Sequence, residues 1–339
     1  MSTLAPPRPA PPGRATASTG LRGPARLVVR QHLRAFQLLI LLTVLAVAGL
    51  VAVALWVGHD AAAFARTGCQ VGSNTPTHAC AQSVGDYLGS QQHLRTARSW
   101  VELLLVLLPA VYGAFMAGPA IGRELESGTH RLAWTQSVSP ARWLTAKLAV
   151  PTAAAVAATL VLTGITAWAA GQSEEYNEGW YFDGVRSASG VLPLAYALFG
   201  LAVGTFTGLL LRRTLASIAV TVVAHGIVAY GLSRGRARLW PTVTATYGTS
   251  ENSDFHADRW VTGWGYLTST GERLSGDTCA GPARESDPCM DALGVTQRYV
   301  DYHPESHRWP LQLVESGILL AAAALAVYLA YRLLRRLHA

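Results

Sequence analysis

The chain has almost no lysine: of its 27 basic side chains, all but Lys147 are arginine. A phosphate-binding loop needs a Gly-Lys-Ser/Thr run, and Lys147 is followed by Leu148, so the sequence has no such loop with which to hydrolyse ATP. Charge of either sign is scarce, at 14% of 339 residues. No His-Glu-x-x-His or Gly-x-Ser-x-Gly motif falls in an apolar stretch, which excludes two familiar routes to hydrolysis inside a membrane. Cysteine is limited to four residues.

Apolar sequence takes the place of charge. Half of the residues are hydrophobic and mean hydropathy is positive, more than a water-soluble chain of this length uses. A hydrocarbon core about 30 Å thick calls for ~20 apolar residues at a helical rise of about 1.5 Å each. Charge-free runs occupy 35–58, 103–121, 148–172, 191–211 and 214–233, and a sixth, 311–331, is broken only by Glu315. Six such runs leave too little amphipathic sequence to bury them in a soluble fold. The expected fold is an all-α polytopic membrane protein with six transmembrane helices at about 36–58, 101–121, 148–171, 191–211, 214–232 and 311–331.

The net charge of +7 is read as topology and not as a nucleic-acid footprint. With the N-terminus inside, segments 1–34, 122–147, 212–213 and 332–339 hold 15 Arg/Lys and two acids, Glu124 and Glu126. The longer segments 59–100, 173–190 and 234–310 hold the other 12 basic residues and nearly all the acids. Positive residues are retained in the cytoplasm, so both termini are expected there. The first run exceeds a signal-peptide core of about 7–15 residues and is expected to stay as an anchor. Cys69 and Cys80 then share one outer segment, and Cys279 and Cys289 another. Disulfides persist outside the membrane, which favours bridges 69–80 and 279–289 among three connectivities, with free thiols left open. Cys69, His78 and Cys80 lack a fourth ligand at a familiar spacing, and no metal site is expected.

Residues 1–25, with six prolines, read as a disordered cytoplasmic tail, and 332–339 as a basic one. Arg26, Arg30 and Arg34 recur at helical spacing beside Leu27, Val28, Val29 and Leu33, which suits either a helix lying on an anionic leaflet or the charged start of the first span. Gly200, Gly204 and Gly208 form a small-residue stripe that admits another backbone, from this chain or from a second copy. Residues 234–310 have no long apolar run and read as a loop-rich extracytoplasmic cap stapled by a disulfide, with short interfacial helices or strands whose positions the sequence does not give and tryptophans that suit an interfacial belt. His225 and Glu315 are intramembrane polar candidates, with Glu102 near the outer end of its span. Their depths differ by roughly half of the 30 Å core, so no catalytic site is expected, and His225 reads as hydrogen-bonded within the bundle.

The segment between spans two and three is the most informative. Arg123 to Glu126 makes a short charged helix, Ser127-Gly128 interrupts it, and Ser139 caps a new helix with Pro140 at its first position. The run Arg123-Glu124-Leu125-Glu126-Ser127-Gly128-Thr129, then Trp134-Thr-Gln-Ser-Val-Ser, Arg142-Trp143 and Lys147-Leu148, resembles the signature of permease subunits of type-2 ABC exporters from high-GC bacteria. Tyr302-His303-Pro304 to Trp309-Pro310, followed by Val314-Glu315-Ser316-Gly317, resembles a second segment of that family. The resemblance implies a plasma-membrane permease that exports an amphipathic or hydrophobic substrate. Its ATP would be bound by a separate ATPase subunit, with no cofactor of its own, and a second permease copy or paralogue would complete the translocation path in membrane lipid. The implied ATPase-coupling loop is 122–147, through Arg123, Glu124, Glu126, Ser127, Gly128, Thr129, Arg131, Trp134 and Arg142. A membrane-anchored sensor using segment 234–310 is the alternative, and an intramembrane enzyme a weaker one.

Overall fold

The computed structural model describes residues 22–72, 78–129, 139–172, 180, 182–248, 259–279 and 283–338. The expectations for residues 1–21, Arg131 and Trp134 lie outside these. Six helices are long and apolar enough to cross a membrane: Leu33–Ala65, His78–Glu126, Pro140–Ala170, Leu192–Leu211, Thr214–Arg238 and Glu305–Leu337. They extend several residues beyond most of the charge-free runs, because a helix carries on past the hydrocarbon until a turn stops it. The first span, α2 (Leu33–Ala65), follows a short amphipathic helix, α1 (Arg22–Gln31), which begins inside the stretch expected to be a tail.

The second span is one rod of three segments, α3 (His78–Val111), a π-helical turn (Tyr112–Ala117) and α4 (Gly118–Glu126). Pro109 has no N–H and crowds the carbonyl four residues back, and the chain relaxes through the wider π-turn before α-geometry resumes. The remaining spans are α5 (Pro140–Ala170), α7 (Leu192–Leu211), α8 (Thr214–Gly235) and α10 (Arg308–His338), with a short α6 (Asp183–Ala188) between α5 and α7. Arg212, in the left-handed conformation at φ 54°, turns α7 into α8 with one further residue.

The glycine stripe is internal. A Cβ on Gly200 would land on the Pro109 carbonyl, one on Gly204 on the Gly113 carbonyl, and one on Gly208 would lie 2.7 Å from the Gly118 carbonyl oxygen. Hence α7 lies backbone-to-backbone on the second span, the close approach that small residues permit in lipid. Around this pair, α7 also packs on α5, α8 and α10. The most apolar windows of the second and fourth spans are each 61% buried, against 11% for the first and 17% for the fifth, so the two buried rods are the centre and the others the periphery.

At the end remote from the termini, the described residues of segment 234–310 include a small sheet. Strands β1 (Val243–Gly248), β2 (Trp260–Thr268), β3 (Arg273–Ser275) and β4 (Val295–His303) form an antiparallel sheet in the order β1-β4-β2-β3. The chain is therefore mostly, not wholly, helical. The strands are short and rich in Thr, Val and aromatics, which fit a half-buried pleated surface yet make no long apolar run. Cys279 is bonded to Cys289 of α9 (Ala283–Ala292), and Cys69, after α2, is bonded to Cys80 of α3. The sheet is seated on the bundle by the Arg186 guanidinium, 3.8 Å over the Trp260 ring, and by Trp180 edge-on to Trp260. His303 adds a second anchor, since its Nε2 donates to the Ala237 carbonyl at 3.0 Å and leaves Nδ1 to accept from His307 Nδ1 at 3.1 Å.

Two outcomes follow from these packings. Gly204→Val is expected to cost about 1–3 kcal/mol through overpacking, read as a lowered Tm in detergent, whereas Gly226→Ala, with open space around its Cβ, leaves Tm unchanged. Burial holds the His303 pKa below the usual histidine value, with the neighbouring His307 and Arg186 acting in the same direction. The unfolded chain then binds more protons than the folded one, so the contribution is complete above the unfolded value and is lost as pH falls. Tm is expected to drop between about pH 7 and about pH 5, and His303→Gln to flatten that slope.

Candidate functional site

The end of the bundle that carries both termini is drawn together by carboxylates on α4. Glu124 accepts from Lys147 Nζ at 2.5 Å, from Trp143 Nε1 at 2.8 Å and from Gln31 Nε2 at 3.0 Å. Lys147 also donates to Gln31 Oε1 at 2.9 Å, and its side chain is only 3% exposed. One glutamate and one lysine thus join α4, α5 and the end of α1. His32, at the joint between α1 and α2, is held below the usual histidine pKa by burial and then by the Lys147 ammonium, so it adds no charge there near neutral pH.

Glu126 performs a different task. Its Oε2 accepts from the Thr214 backbone N–H at 3.0 Å and from the Thr214 hydroxyl at 2.9 Å. Those donors open α8, where unpaired N–H groups and the helix dipole favour a carboxylate. Ser139 caps α5 through the Arg142 N–H, as its position before Pro140 suggests. Tyr331 of α10 meets Thr145 of α5 at 2.7 Å. Arg123, Ser127 and Thr129 are exposed, while Arg142 and Gly128 are half-buried. Gly128 has φ 72°, the left-handed geometry that lets the chain leave α4 abruptly.

The intramembrane polar candidates lie towards the other end. Glu315 on α10 is 1% exposed and is clamped by Arg236, whose Nε and Nη2 donate at 2.6 and 2.7 Å, and by the Tyr196 hydroxyl at 2.8 Å. Arg236 also reaches Ser187 at 3.1 Å. The sequence reading did not include Arg236, because it falls just beyond the apolar run. The available signal was Glu315 itself, since an acid in a span calls for a partner. His225 packs between the rings of Tyr196 and Phe199 at 5.8 and 5.7 Å, and its Nδ1 makes no hydrogen bond among the described residues. This corrects the expected hydrogen-bonded histidine at that atom. The close contact with Gly200 and the flanking rings leave Nδ1 facing carbon and backbone. Tyr196 touches both His225 and Glu315, so the two are nearer neighbours than their sequence depths suggest, and a cavity of about 250 Å³ is lined by His225, Tyr196, Ser233 and Arg236. Among the described residues no group of three metal-ligating side chains converges.

A family profile described as ABC-2 membrane transporter related matches residues 40–235, more than half of the chain. The chain belongs to that family. It is thus a multi-pass membrane component of the ABC-2 transporter kind, and the matched region runs from within the first span into the fifth, with the second to fourth spans whole. No curated protein and no solved structure gives a significant match.

The Lys147–Glu124 pair ties α4 to α5 at the terminus-bearing end. Removing one partner strands the other in a buried position, so Lys147→Ala is expected to cost about 3–5 kcal/mol. The replacement of both by apolar residues (Lys147→Met with Glu124→Leu) recovers much of that loss. Thermal unfolding of the two variants, with protease access to α1 as a second readout, checks both statements.

Proposed function

We propose that the chain is the permease subunit of an ATP-driven exporter in a bacterial cytoplasmic membrane, powered by a separate ABC-type ATPase that docks on segment 122–147. The observation that carries this reading is the attachment of α4. Its two carboxylates are tied to α1 and α5 on one side and to the start of α8 on the other, and its own backbone runs without a break into the second span. A push on the α4–α5 connection is therefore delivered to several spans at once. The second span relays it to α7 through glycine contacts that have no slack.

The terminus-bearing end is the cytoplasmic one in this reading. Both disulfides lie at the opposite end, which suits an oxidising compartment, and α1 carries arginines beside exposed Leu27 and Val29, which suits an anionic leaflet. A second permease copy, together with lipid, would cover the apolar faces that the first and fifth spans leave open. The substrate class of an apolar bundle is amphipathic or hydrophobic. The sheet module gives the alternative sensor reading some support, since it is a folded unit with its own disulfide.

The docking test uses a residue that α4 does not spend on its own packing. Co-purification from native membranes is expected to bring down an ATP-binding subunit at near-equal stoichiometry. Charge reversal at the exposed Arg123 should lose that subunit without lowering Tm by more than a degree or so, as for surface changes generally. Reversal at Glu124 or Glu126 lowers Tm as well and cannot separate docking from folding. An absent ATPase in several mild detergents would sink the coupling reading and favour the sheet module as the working part.

A further inference from the structure

At the disulfide-bearing end a larger cavity, about 340 Å³, lies between α3, α5, α6 and the start of α10. One part of its wall is apolar, made by Ala167, Ala170, Val185 and Ala188. The remainder is polar and contains buried donors without acceptors. Arg98 is 5% exposed and spends one terminal nitrogen on Glu102 at 3.2 Å, while its Nε has no hydrogen-bond partner among the described residues. Trp180 is 7% exposed, its ring is held by Trp260, and its Nε1 has no such partner among them. Thr163 Oγ1 has none among them either. Arg308, also in the wall, makes no ion pair among the described residues.

Buried donors are nearly always paired, because leaving one unpaired forfeits its hydration for nothing. Three in the wall of one cavity, with a spare guanidinium beside them, lack a common kind of partner, an oxygen acceptor carrying negative charge. The wall's carboxylates do not meet that need: Glu102 is engaged by Arg98 and Glu305 is exposed at the rim. The apolar wall points to a ligand with a hydrocarbon part, and the neighbouring Trp168 is 41% exposed on the outer face of α5, where lipid would lie.

We propose that this cavity binds the headgroup of an anionic amphiphile. Its phosphate or carboxylate oxygens accept from Arg98, Thr163 and Trp180 beside Arg308, and its tail leaves along the alanine wall. As a cargo site it rests on the transport reading; as a binding site it does not.

The test is native mass spectrometry of the full chain in detergent, without any ATPase, given dioctanoyl phosphatidylglycerol, the matching neutral diacylglycerol, or inorganic phosphate as competitor. The wild type is expected to retain phosphatidylglycerol and not the neutral lipid. Thr163→Val keeps its shape and removes one donor, and Arg308→Gln removes the spare guanidinium; combined, they should lower retention about tenfold while leaving Tm within a degree or so. Displacement of the lipid by phosphate, with the same dependence on the variant, supports the donor site and makes a free anion its ligand. Equal retention by wild type and variant, or equal retention of charged and neutral lipid, overturns the proposal. Because adducts are counted without a partner subunit, a failed ATPase co-purification leaves this result standing, and the reverse also holds.

Discussion

Everything else in the bundle is arranged around one close contact, the backbone of α7 lying on the backbone of the second span. In lipid there is no hydrophobic force to press two apolar helices together, so contact has to come from shape. Gly200, Gly204 and Gly208 supply the flat face on one side, and Pro109, Gly113 and Gly118 supply it on the other. The π-turn belongs to the same contact. It follows the proline and carries Gly113, whose carbonyl sits where a Cβ on Gly204 would be. A side chain at Gly113, Gly200, Gly204 or Gly208 would separate the rods, and the helices stacked on them would lose their seats.

Polar anchors at the two ends hold the rods in register. At one end Glu124 and Glu126 fasten α4 to its neighbours; at the other Arg236 and Glu315 fasten α8 to α10 through a bidentate pair with Tyr196 and Ser187 as further partners. Buried ion pairs add little net stability over apolar packing, but they are selective about geometry. Their placement at opposite ends, with a sterically tight middle, describes a lever held at both tips.

The sheet module depends on the same frame. It is inserted between α8 and α10, both of which end near the Arg236–Glu315 clamp, and its Trp260 rests on Arg186 from the α5–α7 connection. Trp180, whose ring meets Trp260, also lines the cavity between α3, α5, α6 and the start of α10.

Six apolar runs, the even count of spans, the Ser139 cap and the pairing of neighbouring cysteines were legible along the chain, because each depends on residues close together in sequence. The positions of the strands in segment 234–310 were not legible, because they are short, make no long apolar run and pair across tens of residues, which no local window captures. The exposed-looking acids of the α4 run became structural ties only once α5, α8 and α1 were brought beside them. Arg236 was passed over for the same reason, since its partner is 79 positions away. Apolar length and local turn chemistry determine that the chain enters a membrane and how often it crosses. Which helix the glycine stripe faces, and which charge meets which, is decided only when the helices pack, because those energies belong to pairs of residues that the linear order keeps apart.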